Sequence, residues 1–267
     1  MADHDGDGIL DIVSGSYDPG DVYLLRGLGK GRYAAATPIL DRAGVPLAHH
    51  PDELRRFRAL PEAEQDSDAA IQLRIASFGS WPALVDWDAD GDSDMVIGSF
   101  DGRLYLRTNV AAGGRGRPPE WAPEAVRIEA DGKAMAVGGH AAPAAADWDG
   151  DGLFDLVVGA ADGSVVWFEN LGEPGRPRFG ASAPLVPRRS QDKFVQYFVS
   201  GGELPPPGTR AQIAVVDHDL DGKLDLLVGD YAQVTPLRAL DASERAAFEE
   251  LTAQRATAQA RWRTADD

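Results

Sequence analysis

One acidic loop pattern occurs four times in this chain, and it constrains the fold more than any other feature. The copies read DHDGDGILDIVSG from Asp3, DWDADGDSDMVIG from Asp86, DWDGDGLFDLVVG from Asp147 and DHDLDGKLDLLVG from Asp217. Each copy has aspartate at positions 1, 3, 5 and 9, glycine at positions 6 and 13, and a mostly apolar run after position 9. The starts lie 83, 61 and 70 residues apart. Four matches to one template predict a repeat architecture.

The charge of each loop points to a hard cation. Carboxylates about 4 Å apart repel by roughly 1 kcal/mol per pair even in water, so an empty loop would tend to open. Ca²⁺ takes six to eight oxygen ligands, and alternate residues of a tight loop can turn their carboxylates inward while a backbone carbonyl adds a further ligand. Magnesium prefers fewer protein ligands and more water, so calcium is favoured. The remaining alternative is a set of solvated acidic turns between strands.

An EF-hand shares the first six positions of this loop but needs a bidentate Glu at position 12 and flanking helices. Position 12 is Ser14, Ile97, Val158 and Val228 in the four copies. None of these offers a carboxylate, and the flanking residues are β-branched or apolar. Each loop is therefore expected to close on position 9 and to lead into a strand.

The loops and their flanking segments resemble the FG-GAP/VCBS repeat family, whose DxDxDGxxD calcium loops lie inside the blades of integrin-like β-propellers. The fullest unit runs AAPAAADWDGDGLFDLVVGAADGSVVWFENLGEPGRPRF over residues 141–179. Asp101-Gly102 and Asp162-Gly163 are strong hairpin signals within their units. The resemblance covers roughly residues 1–235 in four units and implies an all-β propeller that binds up to four calcium ions.

The resemblance implies a ligand set wherever the spacing holds. Position 7 would ligate through its backbone carbonyl, and at Asp92 the side chain is either a fifth acid that tightens the site or a group that points into water, the second being favoured. The implied ligands are Asp3, Asp5, Asp7, Ile9 and Asp11 in the first loop, Asp86, Asp88, Asp90, Asp92 and Asp94 in the second, Asp147, Asp149, Asp151, Leu153 and Asp155 in the third, and Asp217, Asp219, Asp221, Lys223 and Asp225 in the fourth.

The ring itself is expected to be incomplete. The chain begins within the first loop, and the pattern of the fourth unit is lost after Tyr231. Since a propeller needs its first and last blades to meet, we expect either a small distorted ring or an arc from a longer protein.

Loop position 2 is His4, Trp87, Trp148 and His218 in the four copies. A slot shared by histidine and tryptophan favours a side chain that packs between strands or blades over a catalytic histidine.

Two segments outside the repeats read as helical. Residues near 51–68 predict a short helical insertion, and residues 236–267 predict a C-terminal helical tail in which Asp241 and Glu244 form a capping pair. His49-His50, just before the insertion, lacks a further metal ligand nearby in the sequence, which disfavours a transition-metal site.

Composition excludes several classes of function. The net charge of −17 disfavours binding to nucleic acid. The chain has no cysteine, and therefore no disulfide or thiolate chemistry. No apolar run is long enough for a membrane span, and no signal peptide follows Met1. The calcium requirement and the resemblance imply an extracellular or periplasmic location.

Signature motifs of catalysis are absent from the sequence. The favoured function is a non-catalytic calcium-binding module that presents a surface to a protein or glycan partner. The alternative is a hydrolase or lyase acting on a polysaccharide, with catalytic groups on the insertions; a purely architectural spacer is a third possibility. The residues to inspect for an enzyme are Arg55, Arg56, His140, Tyr197 and Glu203.

Overall fold

A computed structural model describes residues 3–111, 117–188, 196–200, 208–237 and 241–263. This part of the chain is mostly β, with several antiparallel sheets and three α-helices. The chain divides into two compact units. The larger comprises residues 1–193 and 208–231, and the smaller comprises residues 194–207 and 232–267.

The larger unit contains the strands of all four repeats. In chain order they are β1 (Ile12–Gly15), β2 (Val22–Leu25), β3 (Thr37–Pro38), β4 (Ser80–Val85), β5 (Asp94–Ser99), β6 (Leu104–Arg107), β7 (Val126–Arg127), β8 (Glu129–Ala130), β9 (Lys133–Ala134), β10 (Ala142–Ala146), β11 (Asp155–Gly159), β12 (Val165–Phe168), β13 (Ala183–Val186), β15 (Thr209–Val216) and β16 (Asp225–Tyr231).

These strands pair in chain order within each repeat. The sheets are β1-β2-β3, β4-β5-β6-β7, β10-β11-β12-β13 and β15-β16, with β8-β9 as a separate short pair. All of their pairings are antiparallel. Every acidic loop leads directly into a strand rather than a helix, which confirms that the loops are not EF-hands. The sheets of the second and third repeats are the most complete.

The predicted hairpin turns lie where the sequence places them. Asp101-Gly102 connects β5 to β6, and Asp162-Gly163 connects β11 to β12. Gly102 has a φ of +94° and Gly163 a φ of +79°, a region that glycine enters without steric cost.

The glycine at loop position 13 marks where one repeat contacts the next. Strand β4 lies beside β1, β10 beside β4, and β15 beside β10. A Cβ on Gly98 would lie 2.0 Å from the Ala141 carbonyl oxygen, and one on Gly159 would lie 2.3 Å from that of Ala211. The repeats therefore approach one another backbone to backbone, and a larger residue at these positions would separate them.

The core lies between adjacent sheets. One cluster joins Val96 and Leu104 of the second repeat to Leu156 and Val158 of the third, and all four are fully buried. Burying each such side chain contributes about 1.5–3 kcal/mol to the stability of the fold, relative to leaving it exposed. The packing of one repeat on the next therefore supplies much of the stability that the short strands lack.

The helical insertion contains two helices, α1 (Pro51–Ala59) and α2 (Asp68–Ala76), joined through a 3₁₀ turn at Glu62–Glu64. It thus extends past the expected limit at residue 68. The signal for α2 is Ser67, whose hydroxyl caps the helix by accepting from the N–H of Ala70 at 3.2 Å. No helix in the described ranges is both long and apolar enough to cross a bilayer.

The smaller unit contains two parallel strands, β14 (Gln196–Ser200) and β17 (Gln233–Leu237), and one helix, α3 (Ala242–Arg263). The predicted capping pair is confirmed, because Glu244 N–H donates to Asp241 Oδ1 at 2.9 Å while Asp241 N–H donates to Glu244 Oε2 at 3.1 Å. The division of the chain near residue 235 into repeats and tail stays a prediction.

Candidate metal centres

The four acidic loops share one network of backbone hydrogen bonds. In the third loop, Asp147 Oδ2 accepts from Gly152 N–H at 3.0 Å, Asp149 Oδ1 accepts from Asp151 N–H at 3.2 Å, and Asp151 Oδ1 accepts from Leu153 N–H at 2.8 Å. The corresponding bonds form in the other three loops. Asp149 and Asp151 each use one oxygen to hold the turn, which orients the other oxygen, whereas the second oxygen of Asp147 also accepts from Gly150 N–H at 2.8 Å.

Two positions of each loop adopt the left-handed backbone conformation. Position 6 is glycine throughout, with φ between +84° and +95°. Position 4 is also left-handed in all four loops, although it is Ala89 in the second, with a φ of +59°, and Leu220 in the fourth, with a φ of +63°. Side chains in this region cost roughly 1–2 kcal/mol. Because Ala89 and Leu220 adopt this conformation despite its cost, the other interactions of the loop, such as its side-chain to backbone hydrogen bonds, must hold the turn.

The aspartate at position 9 ties the loop to the far side of its own sheet. Asp94 Oδ1 accepts from Asn109 N–H and Asp155 Oδ1 accepts from Asn170 N–H, both at 2.7 Å. The second oxygen of each accepts from the N–H of loop position 2, and Asp11 makes the same kind of pair in the first loop. These three carboxylates are at most 1% exposed. Position 9 therefore has a structural role beyond any ligation.

Each loop brings three aspartates together closely enough to share one cation. In every group the candidate ligand oxygens lie within 4.8 Å of one another. Other aspartates of the same loops, such as Asp7 and Asp221, fall outside these groups. The groups are Asp3, Asp5 and Asp11; Asp86, Asp88 and Asp90; Asp147, Asp149 and Asp151; and Asp217, Asp219 and Asp225.

The donor set fits a hard cation. All the side-chain donors are carboxylate oxygens, which suit Ca²⁺ and Mg²⁺ and do not suit soft metals. The side chains of Ile9 and Leu153 contain no ligand atoms, so only the carbonyl of position 7 could serve there. The ligand roles of these residues stay a prediction.

Burial shifts the ionisation of two position-9 carboxylates, those of Asp94 and Asp155. Burial raises the pKa of Asp94 to about 7, against the pull of the N–H groups of Asn109 and Trp87. Burial also raises the pKa of Asp155. A cation in either loop would oppose this effect, because it favours the charged form of the carboxylate.

In the first loop a protein cation already contacts the acidic group. Arg26 Nε lies 3.0 Å from Asp5 Oδ2, and its Nη2 lies 3.3 Å from Asp7 Oδ2. Lys223 of the fourth loop is more distant, 3.8 Å from Asp221 Oδ2, and its side chain is 84% exposed. The first loop therefore depends least on a metal ion to relieve its repulsion.

Asp92 does not point into water, so the favoured prediction for this side chain was wrong. The residue is 8% exposed, and neither of its carboxylate oxygens has a hydrogen bond of normal geometry among the described residues, although the side chain of Asn109 lies near enough to lower its pKa. Burial raises its pKa, and the nearby carboxylates of Asp90 and Asp88 raise it further. A single loop sequence does not reveal this burial, because the residues that share the space around Asp92, such as His4 and Asn109, are distant in the sequence.

The packing role predicted for loop position 2 is confirmed in three repeats. Trp87 packs on Phe154 and Phe179, Trp148 joins a core cluster of the third and fourth repeats, and His4 stacks on Trp121 at 6.0 Å. Burial lowers the pKa of His4. The prediction was wrong for His218, which is exposed.

A separate polar cleft lies beside the helical insertion. The Tyr105 hydroxyl is 2.7 Å from His50 Nε2, and His50 Nδ1 is 3.6 Å from Glu53 Oε2. The cleft has a volume of about 660 Å³, and Arg55 and Arg127 also line it. Burial lowers the pKa of His50 and raises that of Tyr105.

Among those residues singled out for an enzyme that the structure describes, only Arg55 lines this cleft. Arg56 is exposed, and His140 is buried against Trp81 and Phe100. The side chain of Tyr197, and Glu203 as a whole, lie outside the described residues.

Sequence reasoning missed Asn109 and Asn170, the partners of the position-9 aspartates. Each follows its aspartate by 15 residues, so the recurrence was visible in the two complete repeats. It also missed the pairing of His50 with Tyr105, which are 55 residues apart and show no local pattern.

A sequence model of the FG-GAP-like repeat matches residues 86–158 and 147–228 of the chain. The two matches overlap at the third acidic loop and together span more than half of the protein. The loop that begins at Asp3 lies outside both matches. No curated protein sequence matches the chain.

Proposed function

This chain belongs to the FG-GAP-like repeat family, and we propose that it is a calcium-binding repeat protein that acts as a non-catalytic interaction module. Each acidic loop holds one Ca²⁺, for a total of up to four. The bound ions stabilise the repeats, and the repeats present a surface to a protein or glycan partner. The repeats extend over residues 1–235, and residues 236–267 form a tail.

One observation carries this proposal. The same hydrogen-bond network recurs in four loops whose outer residues differ, and in each it gathers three carboxylates within 4.8 Å. The backbone N–H groups of each loop hold these carboxylates in place, and every pair of like charges still costs roughly 0.9 kcal/mol in water. A divalent cation turns that repulsion into attraction.

The number of available donors favours calcium over magnesium. Three or four carboxylates and one carbonyl approach the six to eight oxygens that Ca²⁺ takes, with water completing the shell. Magnesium demands near-ideal octahedral geometry and retains more of its water.

We further propose that the repeat sheets are blades of a β-propeller. The first strands of successive repeats lie side by side in chain order, which is the neighbour relation that a ring of blades requires. Either a small distorted ring or an arc of a larger one accommodates this order. The moderate calcium affinity of loops of this kind fits an extracellular or periplasmic location, where calcium is abundant.

Calcium titration tests the proposal directly. Isothermal calorimetry on the chelator-treated protein should show up to four sites, and the melting temperature should rise with Ca²⁺ and fall with EDTA. Mg²⁺ at the same concentration should stabilise less. A protein whose melting curve is the same in Ca²⁺ and in EDTA would contradict the proposal, and one that binds only its ions and no partner would be an architectural spacer.

The polar cleft favours a second candidate function, a hydrolase or lyase acting on a polysaccharide. His50, with a pKa lowered by burial, is available as a general base, and the Tyr105 hydroxyl in contact with it could donate a proton. Glu53 is placed to orient the imidazole ring. Incubation with a panel of polysaccharides should then release reducing ends, and His50→Gln should abolish the release. Equal release by the variant would exclude this cleft as the catalytic site.

A further inference from the structure

Two successive repeat boundaries can be compared position by position. At the boundary of the second and third repeats, three aromatic rings fill one space, with centroids 5.6 to 6.1 Å apart. They are Trp87 from loop position 2, Phe154 from position 8 of the next loop, and Phe179, which forms a bridge with Asn170. This boundary is apolar and belongs to a core cluster.

At the boundary of the first and second repeats the same positions carry different residues. Trp87 corresponds to His4, Phe154 to Ser93, and Phe179 to Trp121, which bridges Asn109 just as Phe179 bridges Asn170. In addition, Leu153 corresponds to Asp92. Two aromatic residues and one aliphatic residue are thus replaced by smaller or polar ones.

The replacement leaves a cavity of about 460 Å³ between the repeats. This volume lies within the range of about 300–1,000 Å³ typical of small-molecule sites. One wall is the stacked pair of His4 and Trp121, whose ring planes meet at 27°. The residues that carry the polar and aromatic groups of the lining are His4, Asp92, Ser93, Asn109, Arg117 and Trp121.

Several buried polar atoms in this lining have no hydrogen-bond partner among the described residues. They are both carboxylate oxygens of Asp92, both ring nitrogens of His4, and the indole Nε1 of Trp121. Asp92 is 8% exposed, and Asn109, which also lines the cavity, gives it no hydrogen bond of normal geometry. Buried polar groups are costly unless paired, so a cluster of them around one cavity indicates a missing partner.

The unpaired atoms differ in kind, and this restricts the partner. The Asp92 oxygens can only accept, the Trp121 N–H can only donate, and the imidazole of His4 can do both. We propose that this cavity binds one neutral sugar ring of a glycan. A sugar hydroxyl both donates and accepts, so one ring with several hydroxyls carries partners for acceptors and for donors alike. This inference rests on the proposed interaction role and names the ligand class.

A basic side chain of a protein partner fits less well. A lysine or arginine would pair with Asp92, yet it has no acceptor to offer the Trp121 N–H. An acidic sugar is disfavoured because two carboxylates, those of Asp92 and Asp3, line the cavity against one guanidinium, that of Arg117. A neutral ring with several hydroxyls satisfies all three unpaired groups together.

Ligand-observed NMR on the calcium-loaded protein tests the proposal with a panel of free sugars. Glucose, galactose, mannose, fucose, N-acetylglucosamine and N-acetylgalactosamine are each supplied at about 10 mM, a concentration that detects millimolar binding. At least one should bind, whereas sialic acid and arginine amide should not.

Two variants copy residues from the filled boundary and so provide matched tests. Ser93→Phe introduces the ring found at Phe154, and Asp92→Leu introduces the side chain found at Leu153. Each should weaken sugar binding at least tenfold while the melting temperature is kept or raised, and Ser93→Phe, which alters no acidic residue, should change calcium affinity less than threefold. Asp131→Asn, an exposed carboxylate outside the cavity lining, should leave binding unchanged.

The outcomes separate this inference from the calcium proposal. Calcium stabilisation without binding of any sugar in the panel overturns the inference alone. Binding of arginine amide without a sugar overturns it in favour of a basic side chain. Sugar binding that both variants retain places the ligand elsewhere and also overturns it. Sugar binding without any effect of Ca²⁺ on stability supports it while the calcium proposal fails.

Discussion

Replacing Asp149 by asparagine should change the stability of the protein in opposite directions with and without calcium. Asp149 belongs to the third acidic group, in which the oxygens of Asp147, Asp149 and Asp151 lie within 4.8 Å of one another. Its Oδ1 accepts from the Asp151 N–H at 3.2 Å. An asparagine oxygen can keep that bond, so the substitution removes a charge and leaves the turn in place.

Without calcium the variant should be more stable than the natural protein. Two charges about 4.8 Å apart repel by about 0.9 kcal/mol in water, and Asp149→Asn removes two of the three pairs in its group. Asp149 and Asp151 are exposed, so salt and solvent screen the repulsion. A gain of about 1 kcal/mol in the free energy of unfolding remains.

With calcium the sign should reverse. A carboxylate about 2.4 Å from a doubly charged ion is attracted by roughly 3.5 kcal/mol in water, and a neutral amide oxygen recovers only part of this. A loss of about 2 kcal/mol corresponds to a roughly thirtyfold rise in Kd for that site. At saturating calcium the variant should then be about 1 kcal/mol less stable than the natural protein.

Urea unfolding in EGTA and in saturating CaCl₂ measures both quantities on the same preparations. Asp131→Asn makes the same charge change at an exposed position outside the acidic groups, and it should shift stability by a similar small amount in both solutions. If Asp149→Asn stabilises the protein in both solutions, the loop is a solvated turn. If it destabilises in both, Asp149 is a structural residue. Either result would falsify the metal-based account of this loop.

Three other substitutions or conditions test the fold. Gly98→Ala should destabilise the protein by about 2–3 kcal/mol in urea unfolding, because the new Cβ would lie 2.0 Å from a backbone oxygen. As a control, Gly229→Ala should be tolerated, because the nearest atom to its new Cβ lies 3.7 Å away. Asp41→Asn should lower the free energy of unfolding by about 3 kcal/mol, because it leaves the fully buried Arg107, 3.5 Å away, without its counter-charge. Combining it with Arg107→Met should recover part of that loss, and purely additive effects of the two substitutions would contradict the interaction. Burial lowers the pKa of His49 from 6.5 to about 3, so the unfolded chain takes up a proton below pH 6.5 that the folded chain refuses, and His49 alone should cost about 2 kcal/mol of stability between pH 7 and pH 5. Asp94, whose pKa is raised to about 7, acts in the opposite direction over the same range. The test is therefore a comparison in thermal melts: His49→Gln should gain about 2 kcal/mol relative to the natural protein between pH 7 and pH 5, and parallel profiles would contradict the burial of His49.

The parts of the fold that follow from local pattern were predictable from the sequence. The acidic loop specifies its own turn through side-chain to backbone bonds, and the strand after it shows as a short apolar run bounded by glycine. The hairpin at Asp162-Gly163 and the cap at Asp241 are equally local. Each needs only a few consecutive residues, and each was predicted.

What the sequence did not reveal depends on the packing of one repeat against another. Asp92 looks like a surface acid within its own loop, and it is buried among residues distant in the sequence that include His4 of the first repeat. The pairing of His50 with Tyr105 likewise joins the insertion to a strand of the second repeat. His218 shows the reverse case, because its slot resembles that of His4 and yet the residue is exposed.

The contact at Gly15, Gly98 and Gly159 makes each repeat junction independent of the length of chain between loops. The next strand sits against the glycine in the same way whether 83, 61 or 70 residues separate one loop from the next. New sequence can therefore be inserted there, as α1 and α2 illustrate, while the scaffold keeps its spacing. The surface of such a repeat protein can therefore change by insertion between the loops, while the backbone contact at the glycine keeps the repeats at the same distance from one another.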